Sequence, residues 1–455
     1  MPKDYDVIVA GGGPAGSTAA IILRRAGLRV ALFEKDAHPR FHIGESILPR
    51  TTPLLKELGL HDAVTKLPHV PKFGAEFGFG NDPKTRRFSF RDGLLPGFPV
   101  FNIERAELDK CLLDQARAVG VEVFESTPVK AIKNLDQGDV QIEAGGRSLK
   151  ASLLLDATGQ GAMLGRYLKT RKTFDEPELQ KVAYFQHFEG VERLSGEERG
   201  HPGIFMCDEG WFWIIGLNET RTSVGFVTRP QVVRTLGVPP DRLLKWAICR
   251  CPNVRHRMRN ATGPSVNEVL ADFSYRCNPP AGPGYFLLGD AAAFLDPIFS
   301  TGVTLAMMSA REAAQLSIGM LRGEVNPASA QDAYRKFLTR TTSPFWRLIR
   351  AYYTQPFREL IINGDGPLQM SGAIISILAG QVFPQPPWSL RWRHRLFDVC
   401  CWLQKHFALA PHRPVFKLAA EPPIDMPLLS GPSTLHAPAR PSASVPTQEP
   451  ASAVS

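Results

Sequence analysis

Gly11, Gly13, Gly16 and Glu34 have the types and spacing to hold a dinucleotide. The glycines stand in Gly11-Gly12-Gly13-Pro14-Ala15-Gly16, and Glu34 comes 18 residues after Gly16. Glycines so spaced let a backbone approach a pyrophosphate, and an acid at that remove accepts hydrogen bonds from a ribose. The elements that must position them are legible on either side. Asp4 to Ala10 reads as a buried strand, Ser17 to Arg25 as a helix, and Arg29 to Phe33 as a second strand ending at Glu34-Lys35. The helix would turn its positive end toward the phosphates. Pro14, Ala15 and Lys35 complete the predicted contacts of this half.

A second strand-turn-helix decides which dinucleotide. Gly284 to Ala293 reads as a buried strand broken at Gly289-Asp290, and Phe294 to Gly302 leads into a helical run from Val303 to Leu321. A nicotinamide dehydrogenase has no use for such a unit so far downstream. FAD does, because its ribitol and isoalloxazine reach well beyond the first turn. Asp290 is expected on a ribitol hydroxyl, and the amides from Ser300 to Val303, after Pro297, on the flavin pyrimidine edge. A helix N-terminus there stabilises negative charge on the reduced ring.

Arg105 and Asp109, in the run Asn102 to Asp109, and Asp156-Ala157-Thr158-Gly159 complete a pattern. Over residues 4 to 340 the chain resembles the FAD enzymes of para-hydroxybenzoate-hydroxylase-like fold: single-component hydroxylases, geranylgeranyl reductases and flavin-dependent halogenases. Three features are most similar to the halogenases. Gly44-Glu45-Ser46-Ile47-Leu48-Pro49 stands between the second strand and a helix, with Glu45 and Ser46 as cofactor contacts. Gly210-Trp211-Phe212-Trp213-Ile214-Ile215 resembles the family's W-x-W-x-I-P strand, and Phe294, Pro297, Ser300 and Gly302 match its F-x-x-P-x-x-S-x-G turn.

That resemblance implies a mechanism. Reduced FAD and dioxygen form a C4a-hydroperoxide, which oxidises chloride or bromide held by the amides of Thr301 and Gly302. Hypohalous acid then reaches Lys72, the position matching the family's essential lysine, and meets an electron-rich ring there. Trp211 and Trp213 keep the organic substrate off the flavin. Two departures matter. Gly216 replaces the motif's closing proline, which predicts a looser strand and a leakier barrier. Phe299 replaces a glutamate of the tryptophan-specific members, which points to phenols, pyrroles or carrier-bound aromatics. Two alternatives stay open: an FAD monooxygenase reduced by NADPH, which Gly216 favours, and an isoprenoid ene-reductase. No second glycine-rich unit for a nicotinamide nucleotide is present, which is compatible with a separate flavin reductase.

The fold expected is α/β: a Rossmann-like FAD domain with an inserted antiparallel-sheet substrate domain and a C-terminal helical region. Residues 1–70, 100–170 and 280–330 form the FAD domain, 71–99 and 171–279 the substrate sheet, 331–420 the helices, and 421–455 a tail. Strands are expected at Tyr184 to His187, Gly203 to Cys207, Phe212 to Leu217 and Thr222 to Val227. The tail has eight prolines in 35 residues and is expected to be disordered. Hydrophobic residues make up 44% and charged residues 21%, ordinary for a globular enzyme.

Seven scattered cysteines form no disulfide framework and no metal-ligand spacing. A first strand at residue 4 leaves no room for a signal peptide, so a reducing cytoplasm is the expected compartment. The net charge is +9, with no nucleic-acid module to use it. Part of the excess lies in 386–417, where Arg391, Arg393, Arg395, Lys405, Arg413 and Lys417 alternate with Trp388, Trp392 and Trp402. Such a stretch suits an acidic carrier protein or an anionic membrane surface, or a helical pair with its basic face in water.

Overall fold

The computed structural model describes residues 3–426 apart from 96, 265–266, 272–273, 364–365 and 415. The expectation of disorder from 427 onward lies outside the described residues. The nucleotide half is a six-stranded sheet in the order Ala281–Gly282, Tyr285–Leu287, Leu153–Asp156, Val7–Ala10, Val30–Phe33, Glu122–Phe124. Its strands run parallel except at the Ala281–Gly282 edge. Val7–Ala10, Val30–Phe33 and Leu153–Asp156 are buried at every residue, as parallel strands covered on both faces must be. The Pro14–Arg25 helix packs on both Gly302–Leu321 and Arg105–Ala118, so segments nearly 300 residues apart in sequence share one layer.

A three-stranded antiparallel meander of Val129–Asp136, Asp139–Ala144 and Arg147–Ala151 is an element the sequence reading did not separate from the FAD region. The substrate sheet has seven strands, in the order Glu268–Leu270, Val182–Glu189, Arg221–Thr228, Gly210–Gly216, Gly203–Met206, Gly74–Phe79, Thr85–Ser89. It departs from the expected antiparallel pattern at one pair: Gly203–Met206 runs parallel to Gly74–Phe79. Those two strands come from separate insertions in the FAD domain, so no hairpin ties their directions.

Alternation along these strands divides the sheet's two faces. Phe185, Trp211 and Trp213 face the large core shared with the FAD half. Tyr184, Phe212, Ile214 and Phe226 face a second core beneath Leu243–Ile248 and Pro252–Arg257.

The C-terminal region comprises helices Pro327–Tyr352, Gln355–Asn363, Met370–Leu378 and Trp388–Phe407. The apolar Met370–Leu378 helix is buried along nearly its whole length. It is held against the loop after Thr85–Ser89: Leu94 N–H donates to Gly372 O at 3.1 Å, and Leu95 N–H to Ser376 Oγ at 3.1 Å. No helix of the described residues is long and apolar enough to cross a membrane.

Candidate functional site

The first glycine turn is built for close approach. Gly11 has φ +105°, and a Cβ there would lie 2.3 Å from Ala157 O; one on Gly16 would lie 1.8 Å from Gly11 O. Either change would push helix and strands apart, whereas a Cβ on Gly13 would meet nothing closer than Arg40 Nη2 at 3.7 Å. Gly13 thus faces open space at the start of the Pro14–Arg25 helix, where amides and helix dipole favour an anion. Glu34 is buried and accepts from Gly12 N–H at 2.6 Å and Asp36 N–H at 3.0 Å. Lys35 is largely exposed, 3.6 Å from Asp36.

Arg40 is the residue here that the sequence reading missed. Its Nε and Nη1 are buried without a hydrogen bond, while the group lies 3.5 Å from Asp109 and 4.0 Å from Glu34. A partly buried guanidinium with two nitrogens free of hydrogen bonds, in front of an open glycine, fits the pyrophosphate of a dinucleotide. Six residues after Glu34, in a His-Pro-Arg-Phe run, it carried no motif to single it out.

Arg105 and Asp109 come together, but principally with each other. Arg105 donates to both Asp109 oxygens at 2.8 and 2.9 Å, and to Ile43 O at 2.7 Å. Burial opposes the charge on Asp109, yet Arg105 outweighs it and lowers the Asp109 carboxyl below its ordinary value. This pair fixes the chain before Gly44. Asp156 is likewise internal: it accepts from Thr158 N–H, Thr158 Oγ1 and Leu164 N–H, closing the loop of the Asp156–Gly159 motif.

The second turn lies against the first. A Cβ on Gly289 would lie 2.9 Å from Ala306 and 3.7 Å from Ala15. Asp290 has no hydrogen-bond donor on its carboxylate among the described residues. Burial raises its carboxyl to about 6, against the pull of Arg105. Pro297 opens a short 3-10 turn capped by Asp296, whose side chain accepts from Ile298 N–H at 3.1 Å. Ser300 takes left-handed backbone at φ +56°, Thr301 is the N-cap, and Gly302 begins the 20-residue helix. A Cβ on Gly302 would meet nothing within 4 Å, and the amides of Thr301, Gly302 and Val303 donate to no acceptor among the described residues. Open space, unpaired amides and a helix N-terminus fit the edge of a flavin ring.

Lys72 ends the strand His69–Lys72, paired with Val100–Ile103. It is 3% exposed, so it is no solvated surface lysine. Its Nζ donates to Ser46 Oγ at 2.9 Å and Ile47 O at 3.0 Å, and stands 5.4 Å from the Phe90 ring centroid. Burial alone depresses the amine from 10.5 to about 7. One residue further, Leu48 N–H donates to Thr304 Oγ1 at 3.3 Å, and Thr51 Oγ1 lies 2.8 Å from the same hydroxyl. The Glu45–Leu48 segment therefore joins Lys72 to the first turn of the Gly302–Leu321 helix. Glu45 reaches the substrate sheet instead, 2.6 Å from His187 Nε2. Burial works against a charged imidazole, but the Glu45 carboxylate prevails and raises His187 above its ordinary value.

The Gly210–Gly216 strand turns Trp211 and Trp213 into the core shared with the FAD half. Trp213 donates to Ser223 Oγ at 3.0 Å and stands 5.9 Å from Phe185, which stacks on Phe41. Its cross-strand partner is Gly225, where a Cβ would fall 2.2 Å from the indole; that glycine lets the ring lie flat across the sheet. Trp211 donates to Tyr353 Oη at 3.0 Å, and Tyr353 donates to Asp296 Oδ2 at 2.5 Å. Trp211 is thus tied to the Pro297–Gly302 turn through a residue of the C-terminal region. Lys181 Nζ lies 3.7 Å over the Tyr353 ring, and burial lowers this amine to about 8. Gly216, where a looser strand was expected, pairs with Thr222 and has Arg193 beside it. A Cβ there would meet Arg193 at 3.0 Å, and Arg193 bonds Thr222 Oγ1, Asn218 O and Arg221 O. The missing side chain makes room for an arginine that closes the hairpin. Phe299 is buried with Tyr352 edge-on to it.

No group of three or more His, Cys, Asp or Glu among the described residues can hold a metal ion. Comparison with known proteins agrees with the geometry. Residues 4–171 match a family model described as FAD binding domain, and residues 98–359 one described as tryptophan halogenase. The chain is 30% identical to the 1H-pyrrole-2-carbonyl-[peptidyl-carrier protein] chlorinase of Pseudomonas fluorescens, across 84% of this chain and 90% of that protein. It is 33% identical to the corresponding brominase of Pseudoalteromonas luteoviolacea, across 69% and 77%. Among solved structures it resembles the flavin-dependent brominase Bmp2, with TM-score 0.75 and 28% identity over 87% of this chain and 99% of that one. With a glycine turn open for a dinucleotide, a buried lysine and a paired-tryptophan strand in one fold, the chain belongs to the flavin-dependent halogenase family.

Proposed function

We propose that this enzyme halogenates an electron-rich aromatic substrate, phenolic or pyrrolic, and that Lys72 is the group at which oxidised halogen meets the ring. Bound in its reduced form, FAD with dioxygen supplies the oxidising equivalents that turn chloride or bromide into hypohalous acid. The observation that carries the reading is the Lys72 amine: buried, held by Ser46 and Ile47, and brought to about 7. At neutral pH such an amine is divided between its two forms. As ammonium it donates a hydrogen bond to the hypohalous oxygen and polarises the halogen. As free base its lone pair takes the halogen, and hydroxide leaves with the amine proton as water. The ring carbon then takes the halogen and returns a proton to the amine.

The remaining residues have supporting parts in this proposal. Gly13, Arg40, Glu34, Asp290 and the Val303 amide hold the FAD, and the amides of Thr301 and Gly302 hold halide beside the flavin edge. Trp213, with Phe185 and Phe41, keeps the organic substrate from the flavin side. Phe299 in place of an acid favours a neutral ring over a free amino acid. A pyrrole on a carrier protein is supported by the names of the two relatives above. A separate flavin reductase as partner is compatible with the sequence.

The test supplies chemically reduced FAD, oxygen, bromide and an activated phenol or enol, and looks for bromine by mass. Brominated product lost on Lys72→Ala, with flavin oxidation intact, is the expected result. Hydroxylated product without bromine would replace this reading with a monooxygenase.

A further inference from the structure

Half of the large exposed hydrophobic side chains of the described residues crowd into 388–409: Trp388, Val399, Trp402, Phe407 and Leu409. Trp388 is 70% exposed and Phe407 67%. They belong to the Trp388–Phe407 helix and the residues just after it. At about 100° per residue, Trp388, Trp392, Arg395, Val399, Trp402 and His406 fall on one face. The opposite face is committed to the protein: Leu390, Phe397, Cys400 and Gln404 are buried, and Gln404 donates to Glu359 at 2.7 Å. The outward row is therefore no frayed core face. It is a second apolar stripe on a helix already docked.

We propose that this face rests on an anionic lipid surface. Its aromatics group at the two ends, Trp388 with Trp392 at 6.0 Å and Trp402 with His406 at 4.8 Å. Arg391, Arg395 and Lys405 stand among them, exposed and without an ion pair among the described residues. The helix has a single acid, Asp398, and that lies 3.5 Å from Arg347. Exposed indoles flanked by unpaired cations match the interfacial layer of a bilayer, where the rings sit at headgroup depth and cations meet anionic headgroups. Shape agrees. A 20-residue helix is a convex ridge about 30 Å long, which can lie along a flat, deformable surface over its whole length. A folded protein would need a matching trough. The helix lies on the membrane rather than through it, since it is too polar to span. The proposal is independent of the reaction assigned above.

The experiment uses the full-length, FAD-loaded protein. It is sedimented with phosphatidylcholine vesicles, with and without phosphatidylglycerol, at low and high salt. Binding is expected only with the anionic lipid, weakening as salt rises, with a blue shift of tryptophan emission. Trp388→Ser with Trp402→Ser should abolish sedimentation. Arg391→Gln and Arg395→Gln should each weaken it about fivefold, with flavin absorbance and a cooperative melt retained in all variants. Equal binding by wild type and variants overturns the proposal, as does no binding to either vesicle. So does loss of self-association, or of carrier-protein capture, in the serine variant without any vesicle binding.

Discussion

Replacing Lys72 by methionine tests the buried amine in two independent ways. Methionine keeps the length of the side chain but removes the titrating group. The fall from 10.5 to about 7 corresponds to about 5 kcal/mol of preference for the neutral amine across that whole interval. The sign follows from proton counting. Between pH 7 and 10.5 the unfolded chain carries a proton on Lys72 that the folded chain has shed, so folded stability rises with pH through this window. Below pH 7 both states are protonated, and Lys72 adds no pH dependence. Urea unfolding of wild type and Lys72→Met should therefore diverge by about 2.5 kcal/mol between pH 7 and about 9, in favour of the wild type. Other titrating groups cancel in the difference. Halogenated product should fall at least about 10²-fold while flavin oxidation by dioxygen continues. A difference in stability that stays flat with pH would mean an amine protonated in the folded state, and the burial argument would be wrong. Full halogenation by the methionine variant would make Lys72 structural.

Other perturbations separate the remaining parts. Gly13→Val should yield folded protein that takes up no FAD, because the added carbons enter space open for phosphate; flavin absorbance after reconstitution checks this. Gly16→Ala should instead unfold the protein or fail to express, since its Cβ meets Gly11 O at 1.8 Å. Trp213→Ala should raise hydroxylated product or free peroxide as halogenated product falls, at a stability cost of about 3–5 kcal/mol; an unchanged product ratio in folded, flavin-loaded protein would remove Trp213 from the mechanism. Tyr353→Phe leaves Trp211 Nε1 without its acceptor and Asp296 Oδ2 without its donor, while Asp296 Oδ1 keeps Ile298 N–H. It should cost about 1–3 kcal/mol by thermal melt, and no change would show that the link between Trp211 and the turn is idle.

The FAD half was legible because its signals are local. The turn at Gly11–Gly16, Glu34, the Gly289-Asp290 break and the Gly302 helix start each lie within one strand-turn-helix, whose backbone geometry a short sequence dictates. The Gly210–Ile215 strand was likewise legible by its motif, but only the structure showed that Trp211 and Trp213 face the core shared with the FAD half while Phe212 faces the other way. What tertiary structure alone decided concerns residues far apart in sequence. Lys72 becomes a buried amine only because Ser46 and Ile47 accept from it and the Phe90 loop, held down by Met370–Leu378, closes over it. Arg40 gains meaning only when Gly13 and Asp109 stand beside it. Gly216, read from its residue type as a weak point, is space for Arg193, and Gly225 is space for Trp213. Burial and pKa belong to neighbourhoods assembled across hundreds of residues, and residue type and spacing along the chain do not encode them.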